Sequence, residues 1–288
     1  MLRHYLLAAA IAFVFLGGSS GDSPAAVSCR SFCGNITVDY PLGLRRGCGH
    51  PVFRDLLFCV NGALMLLLPS GTYLALAIDY PYKALTLHDA AMSTCATAGT
   101  GVAAGFVVDP WRAPFLSPSP DTAFLLLGCR SRRRHLPCGD VAGMGCEGYR
   151  HCPAWHAATP CCAVSYATVG AVNLSQLECE GYSGAYSLAP LRPGPATGWS
   201  YGVRLSYSVP AEHEEACRRC EASGGACGHE PAPPWGRLCL CGAWNSTSSC
   251  DSVESPPPSS AAAAVAPLRR GLLVFSVKLL AQSQLMFL

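Results

Sequence analysis

Hydrophobic residues fall into a few patterns along the chain. Ala63-Leu64-Met65-Leu66-Leu67-Leu68 and Thr72-Tyr73-Leu74-Ala75-Leu76-Ala77-Ile78 flank Pro69-Ser70-Gly71. Two apolar runs of strand length around a proline and a glycine predict an antiparallel pair joined by a tight turn. Further on, Trp199, Tyr201, Val203, Leu205, Tyr207 and Val209 alternate with Ser200, Gly202, Arg204, Ser206 and Ser208. Strict period-two alternation predicts a half-buried strand across 199–209. One short helix fits Glu212 to Glu221, its length limited by nearby cysteines. The predicted fold class is all-β and small disulfide-rich, with two cysteine-rich β modules and little helix.

The ends differ from this interior. Arg3 precedes an apolar run from Leu6 to Leu16, and small residues follow between Gly17 and Ala26. That order is the signature of a secretory signal peptide, and the run is too short to span a bilayer. At the other end, a Pro/Ser/Ala stretch from Pro256 leads through Arg269-Arg270 to the weakly apolar segment Gly271 to Leu288, which contains Lys278. The order suits a C-terminal membrane-anchor signal, whereas the lysine and glutamines suit a soluble tail, so both readings stand. The organisation expected is a signal peptide (1–26), a first module (27–97), a cysteine-rich middle region (98–198), a C-terminal cysteine module (199–254) and a linker with tail (255–288).

The 18 cysteines, all beyond the leader, turn the patterning into a secreted, stapled fold. They form three stretches: Cys29, Cys33, Cys48, Cys59 and Cys95; Cys129, Cys138, Cys146, Cys152, Cys161, Cys162 and Cys179; Cys217, Cys220, Cys227, Cys239, Cys241 and Cys250. Odd counts in the first two point to at least one bridge between them. All 18 are expected in disulfides. Sequons at Asn35, Asn173 and Asn245 are expected to be glycosylated in such a compartment. The formal charge of only +2 lacks the basic excess of a nucleic-acid binder.

Candidate chemistry is sparse. Cys217-x-x-Cys220 with Cys239-x-Cys241 has the look of a zinc site, but an oxidising lumen makes those thiols disulfides, so no metal is expected. Cys239, Cys241 and Cys250 share the spacing of the last cysteines of an epidermal-growth-factor-like module, without its calcium-binding acidic cluster. No serine elbow, paired zinc histidines or phosphate loop is present, and neither catalysis nor a cofactor is expected. His135, His151 and His156 read as loop residues. Two basic clusters remain: Arg45, Arg46, His50 and Arg54, and Arg130, Arg132, Arg133, Arg134 and His135. Arginine outnumbers lysine 18 to 2. A guanidinium forks two hydrogen bonds onto a carboxylate, which suits uronic acids; a solvated loop or a compositional bias gives the same count.

Residues 29–95 resemble the galacturonan-binding module of plant wall-associated receptor kinases and related leaf-rust-resistance-locus-like receptors. The resemblance is carried by Cys29-Arg30-Ser31-Phe32-Cys33-Gly34, Tyr40-Pro41-Leu42, Gly47-Cys48-Gly49-His50-Pro51, Phe53, Leu57-Phe58-Cys59, the strand pair, Ile78 and Cys95. Leu42 departs from the family's usual phenylalanine. The third cysteine stretch is similar to the wall-associated kinase C-terminal module through Cys217-x-x-Cys220, Ser223-Gly224-Gly225-x-Cys227-Gly228 and Leu238-Cys239-x-Cys241. No kinase sequence follows. The resemblance implies an extracellular, non-catalytic protein of the cell wall or outer plasma-membrane face that binds pectin, specifically de-esterified homogalacturonan. Arg45, Arg46, His50, Arg54 and Lys83 would supply the positive surface, and Tyr40, Tyr80 and Tyr82 the flat platforms. The alternative is a co-receptor ectodomain that binds a peptide or a receptor-kinase partner.

Overall fold

The computed structural model describes residues 28–99, 104–130, 136–155, 159–187 and 195–251. The leader, the tail, Arg132 to His135 and His156 lie outside the described residues.

The chain begins with a hairpin, β1 (Ser31–Cys33) and β2 (Ile36–Val38), and continues as an antiparallel meander, β3 (Leu57–Val60), β4 (Ala63–Leu68), β5 (Gly71–Asp79) and β6 (Ala84–His88). The strand pair read from the apolar runs is β4 and β5, with Leu66 opposite Tyr73 and Leu68 opposite Gly71. Period two sends Leu64, Leu66 and Leu68 inward with Tyr73 and Ala75, while Leu67 and Leu76 stay exposed.

The middle of the chain adds β7 (Gly105–Phe106), β8 (Leu116–Pro118), β9 (Thr122–Leu127), β10 (Cys161–Ser165), β11 (Val172–Asn173) and β12 (Gly181–Tyr186), with one-turn helices α1 (Tyr166–Val169) and α2 (Leu174–Leu177). It is followed by β13 (Ser200–Tyr201) and β14 (Val203–Tyr207). The predicted strand at 199–209 is thus two strands in two sheets. β13 pairs with β12 in the four-stranded sheet β10-β9-β12-β13, and β14 enters the six-stranded sheet β3-β4-β5-β6-β14-β8. The pivot is Gly202, whose φ of +146° lies outside the usual range of side-chain-bearing residues and whose added Cβ would sit 2.4 Å from the Leu87 carbonyl oxygen. β14 also shows that the C-terminal segment contributes an internal strand to the sheet begun by the first module.

β9 is covered on both faces. Phe124 and Leu126 join a core with Tyr73, Leu85, Phe106 and Tyr182, and Ala123 and Leu125 face a smaller cluster with Met144, Tyr149 and Ala185. The Phe106 and Phe124 rings lie 5.9 Å apart and those of Phe124 and Tyr182 6.1 Å apart. Each such side chain removed from water stabilises the fold by roughly 1.5–3 kcal/mol.

The C-terminal part consists of α3 (Ala211–Ala222) and the sheet β15 (Ala226–His229), β16 (Arg237–Leu240) and β17 (Asn245–Ser246). Glu212 and Glu214 in the first turn of α3 and Arg219 in the last complement its dipole. Cys217 and Cys220, one turn apart, face inward and are stapled to Cys227 and Cys239. The remaining bridges are Cys29–Cys48, Cys33–Cys59, Cys95–Cys152, Cys129–Cys179, Cys138–Cys162, Cys146–Cys161 and Cys241–Cys250. Cys95–Cys152 is a crossing bridge of the kind that the odd counts pointed to, and the four thiols with zinc-like spacing are disulfide-bonded.

Candidate functional site

Between β2 and β3 the chain makes a tight loop that raises Arg45 and Arg46 to its exposed tip. The Cys48 amide donates to the Arg45 carbonyl at 3.0 Å and the His50 amide to the Pro41 carbonyl at 2.8 Å. Gly49, at φ +81°, packs so closely on this loop that a Cβ would meet the Pro41 and Leu42 carbonyl oxygens within 3 Å. After it, His50 caps the one-turn helix Pro51–Phe53, its Nδ1 accepting from the Val52 amide at 3.2 Å. That turn places Arg54, which donates from Nη1 to the Pro51 carbonyl at 2.9 Å.

The loop leans on the C-terminal sheet. The Gly49 amide donates to the Cys227 carbonyl at 3.0 Å and the His229 amide to the Gly47 carbonyl at 2.8 Å, with a β-bridge between Cys48 and Gly228. The contact encloses a cavity of about 90 Å³ lined by Arg45, Arg46 and Arg54 together with Asp55, His229 and Trp235. The Arg54 guanidinium carbon lies 3.6 Å from the Trp235 ring centroid and 4.5 Å from that of Trp111. On Trp111 also rests Arg112, at 4.3 Å. Arg112 is buried beside Asp109, with Nε 3.2 Å from its carboxylate, and donates to the Arg54 carbonyl at 2.8 Å. Burial lowers its pKa, against the opposing pull of Asp109.

The other expected residues lie elsewhere. Tyr40, Tyr80 and Lys83 line a second cavity, of about 570 Å³, against α3. Four of its charged groups pair with one another: Arg30 lies 2.6 Å from Asp39, and Lys83 bonds Glu214. The Tyr80 hydroxyl accepts from the Asp39 amide at 2.6 Å, and burial raises its pKa to about 12. Glu221, at the same cavity, is raised first by burial and then by the charge of Asp39. Tyr82 is 77% exposed and lines neither cavity.

His50 requires a correction. Expected in the positive surface, it is only 5% exposed, its Nε2 lies 2.8 Å from His213 Nδ1, and the two rings stack at 5.0 Å. Burial, then the neighbouring His213, Arg237 and His229, push its pKa down to about 4. With Nδ1 accepting from Val52, the neutral ring donates from Nε2 to His213; it is a structural link to α3 and carries no charge at neutral pH.

The three sequons lie on described residues. Asn35 is exposed at the β1–β2 turn and Asn245 is exposed in β17, while Asn173 caps α2 by accepting from the Gln176 amide at 3.1 Å. Trp111, Arg112, His229 and Trp235 were not singled out from the sequence. The available signals were slight: a Trp-Arg dipeptide in a region without a motif, and one tryptophan ending the proline-rich run Pro231 to Pro234.

No helix among the described residues is long and apolar enough to cross a membrane. No curated protein and no solved structure matches the chain. One family model does match, that of the wall-associated receptor kinase galacturonan-binding domain, over residues 29–89. The loop carrying Arg45, Arg46 and Arg54 lies within the stretch that is similar to this galacturonan-binding domain.

Proposed function

We propose that this protein is an extracellular, non-catalytic binder of pectin that grips de-esterified homogalacturonan through Arg45, Arg46 and Arg54. The observation carrying this reading is the convergence of those three arginines, all within the matched residues 29–89, on one cavity. A de-esterified galacturonan offers a carboxylate on every sugar, and planar guanidinium groups match carboxylates in a way that point charges do not. An exposed ion pair contributes only about 0.2–1 kcal/mol, so affinity must accumulate over several sugars along the polymer. The wall-associated family points to an extracellular location, and a receptor kinase is the natural protein partner of such a module. Anchoring through the tail is a further element of this proposal.

Replacing Arg45, Arg46 and Arg54 together with alanine is expected to abolish retention on immobilised oligogalacturonides at low salt. Undiminished retention of the triple variant contradicts the assignment. No acidic-glycan binding by the wild type, together with specific capture of a receptor ectodomain, would favour the protein-binding alternative.

A further inference from the structure

The matched domain does not complete its own site. Arg54 leaves the loop with its guanidinium faces against Trp235, from the C-terminal segment, and Trp111, from the middle region. Stacking occupies the faces of a guanidinium and leaves its N–H edge free to hydrogen-bond in plane. One edge donor, Nη1, is held by the Pro51 carbonyl at 2.9 Å, which fixes the rotation of the group. Trp111 is itself steadied by the buried Arg112 at 4.3 Å. Trp235, at the opposite end of this ladder, sits at a positive φ of 53°, so the backbone places the indole in a conformation that few non-glycine residues adopt. Its loop is tied to the rest of the sheet by the Glu230 amide donating to the Gly236 carbonyl at 2.8 Å. At the base, Gly228 is so close to the loop that a Cβ would lie 2.2 Å from the Gly47 carbonyl oxygen, leaving no room for the two parts to separate by a side chain.

We infer that the galacturonan site is composite: Trp235 and Trp111 hold Arg54 as a preorganised carboxylate fork, so that the C-terminal cysteine module is part of the ligand-binding surface. The inference rests on the galacturonan reading above. Arg45 and Arg46, exposed at the loop tip, supply attraction that any polyanion would feel. Arg54, stacked and oriented, supplies discrimination between a free uronate and its methyl ester, because only the ionised group offers two equivalent acceptor oxygens in the plane of the fork. Trp235 and Trp111 are positioning residues for that discrimination.

The test uses the full secreted chain and oligogalacturonides of matched length, de-esterified and fully methyl-esterified. Trp235→Ala, Trp235→Phe and Arg54→Lys are compared with the wild type by titration at low ionic strength. Trp235→Ala and Arg54→Lys are each expected to lose about tenfold in affinity for the de-esterified oligomer and most of the preference over the ester. Trp235→Phe, which keeps a face for the guanidinium, is expected to restore most of both. Arg54→Lys keeps the charge and touches no core residue, so it reads the fork even where Trp235→Ala fails to fold. Wild-type binding that weakens in Arg45→Ala/Arg46→Ala but persists with unchanged ester preference in Arg54→Lys and Trp235→Ala overturns the composite site and leaves the galacturonan reading standing. Absence of wild-type binding overturns both.

Discussion

His50 shows how one side chain can leave a binding surface and become a junction. Its position in a basic cluster suggested a cation, yet its ring is enclosed by His213 from α3, with Tyr40 and Phe53 beside it and Arg237, His229 and Glu212 among the charged groups near the pair. Because burial lowers the folded pKa to about 4 from an ordinary 6.5, the unfolded chain takes up a proton over that interval and the folded chain does not. Unfolding therefore becomes easier as pH falls through it. The expected loss is roughly 3 kcal/mol between pH 6.5 and 4, levelling off below, and His213, also lowered by burial, acts in the same direction. Urea denaturation of the wild type and His50→Gln across this range checks the account: the variant should have a distinctly shallower slope, and parallel curves would contradict it. Nothing in the local sequence revealed this role, since His213 is 163 residues away.

At the scale of elements, legibility followed periodicity. β4 and β5 were readable because apolar runs and a proline-glycine turn agree, and α3 was readable only as a short helix over Glu212 to Glu221 whose length the nearby cysteines limit. β9, buried on both faces, has a run of Thr122 to Leu127 without alternation, so it offered no pattern to distinguish it. The 199–209 segment alternates throughout, and alternation cannot report that its two halves hydrogen-bond in different sheets. Only the backbone at Gly202 does that, together with its amide donating to Gly184 at 2.9 Å. Gly202→Ala is expected to destabilise the protein by about 2 kcal/mol or more, through the strained φ and the clash with the Leu87 carbonyl. An unchanged denaturation midpoint for this variant would mean that the pivot relaxes freely.

For the whole molecule, the disulfide counts were legible but the pairing was not, because connectivity depends on which strands meet. Likewise the arginines of the candidate site were visible within ten residues of sequence, whereas Trp111 and Trp235 reach Arg54 only through the fold. Of the expected tyrosine platforms, Tyr40 and Tyr80 line a cavity in which Arg30 pairs with Asp39 and Lys83 with Glu214, while Tyr82 is exposed and lines neither cavity. With a formal charge of only +2, the proposed polyanion binding has to rest on the small arginine surface and not on the overall field. The most direct measurement is calorimetric titration of the full-length protein with de-esterified and methyl-esterified oligogalacturonides at low and physiological ionic strength. The expected result is saturable binding of the de-esterified oligomer that weakens steeply with salt, with little binding of the ester. Equal binding of both oligomers, or binding of neither, would contradict the account.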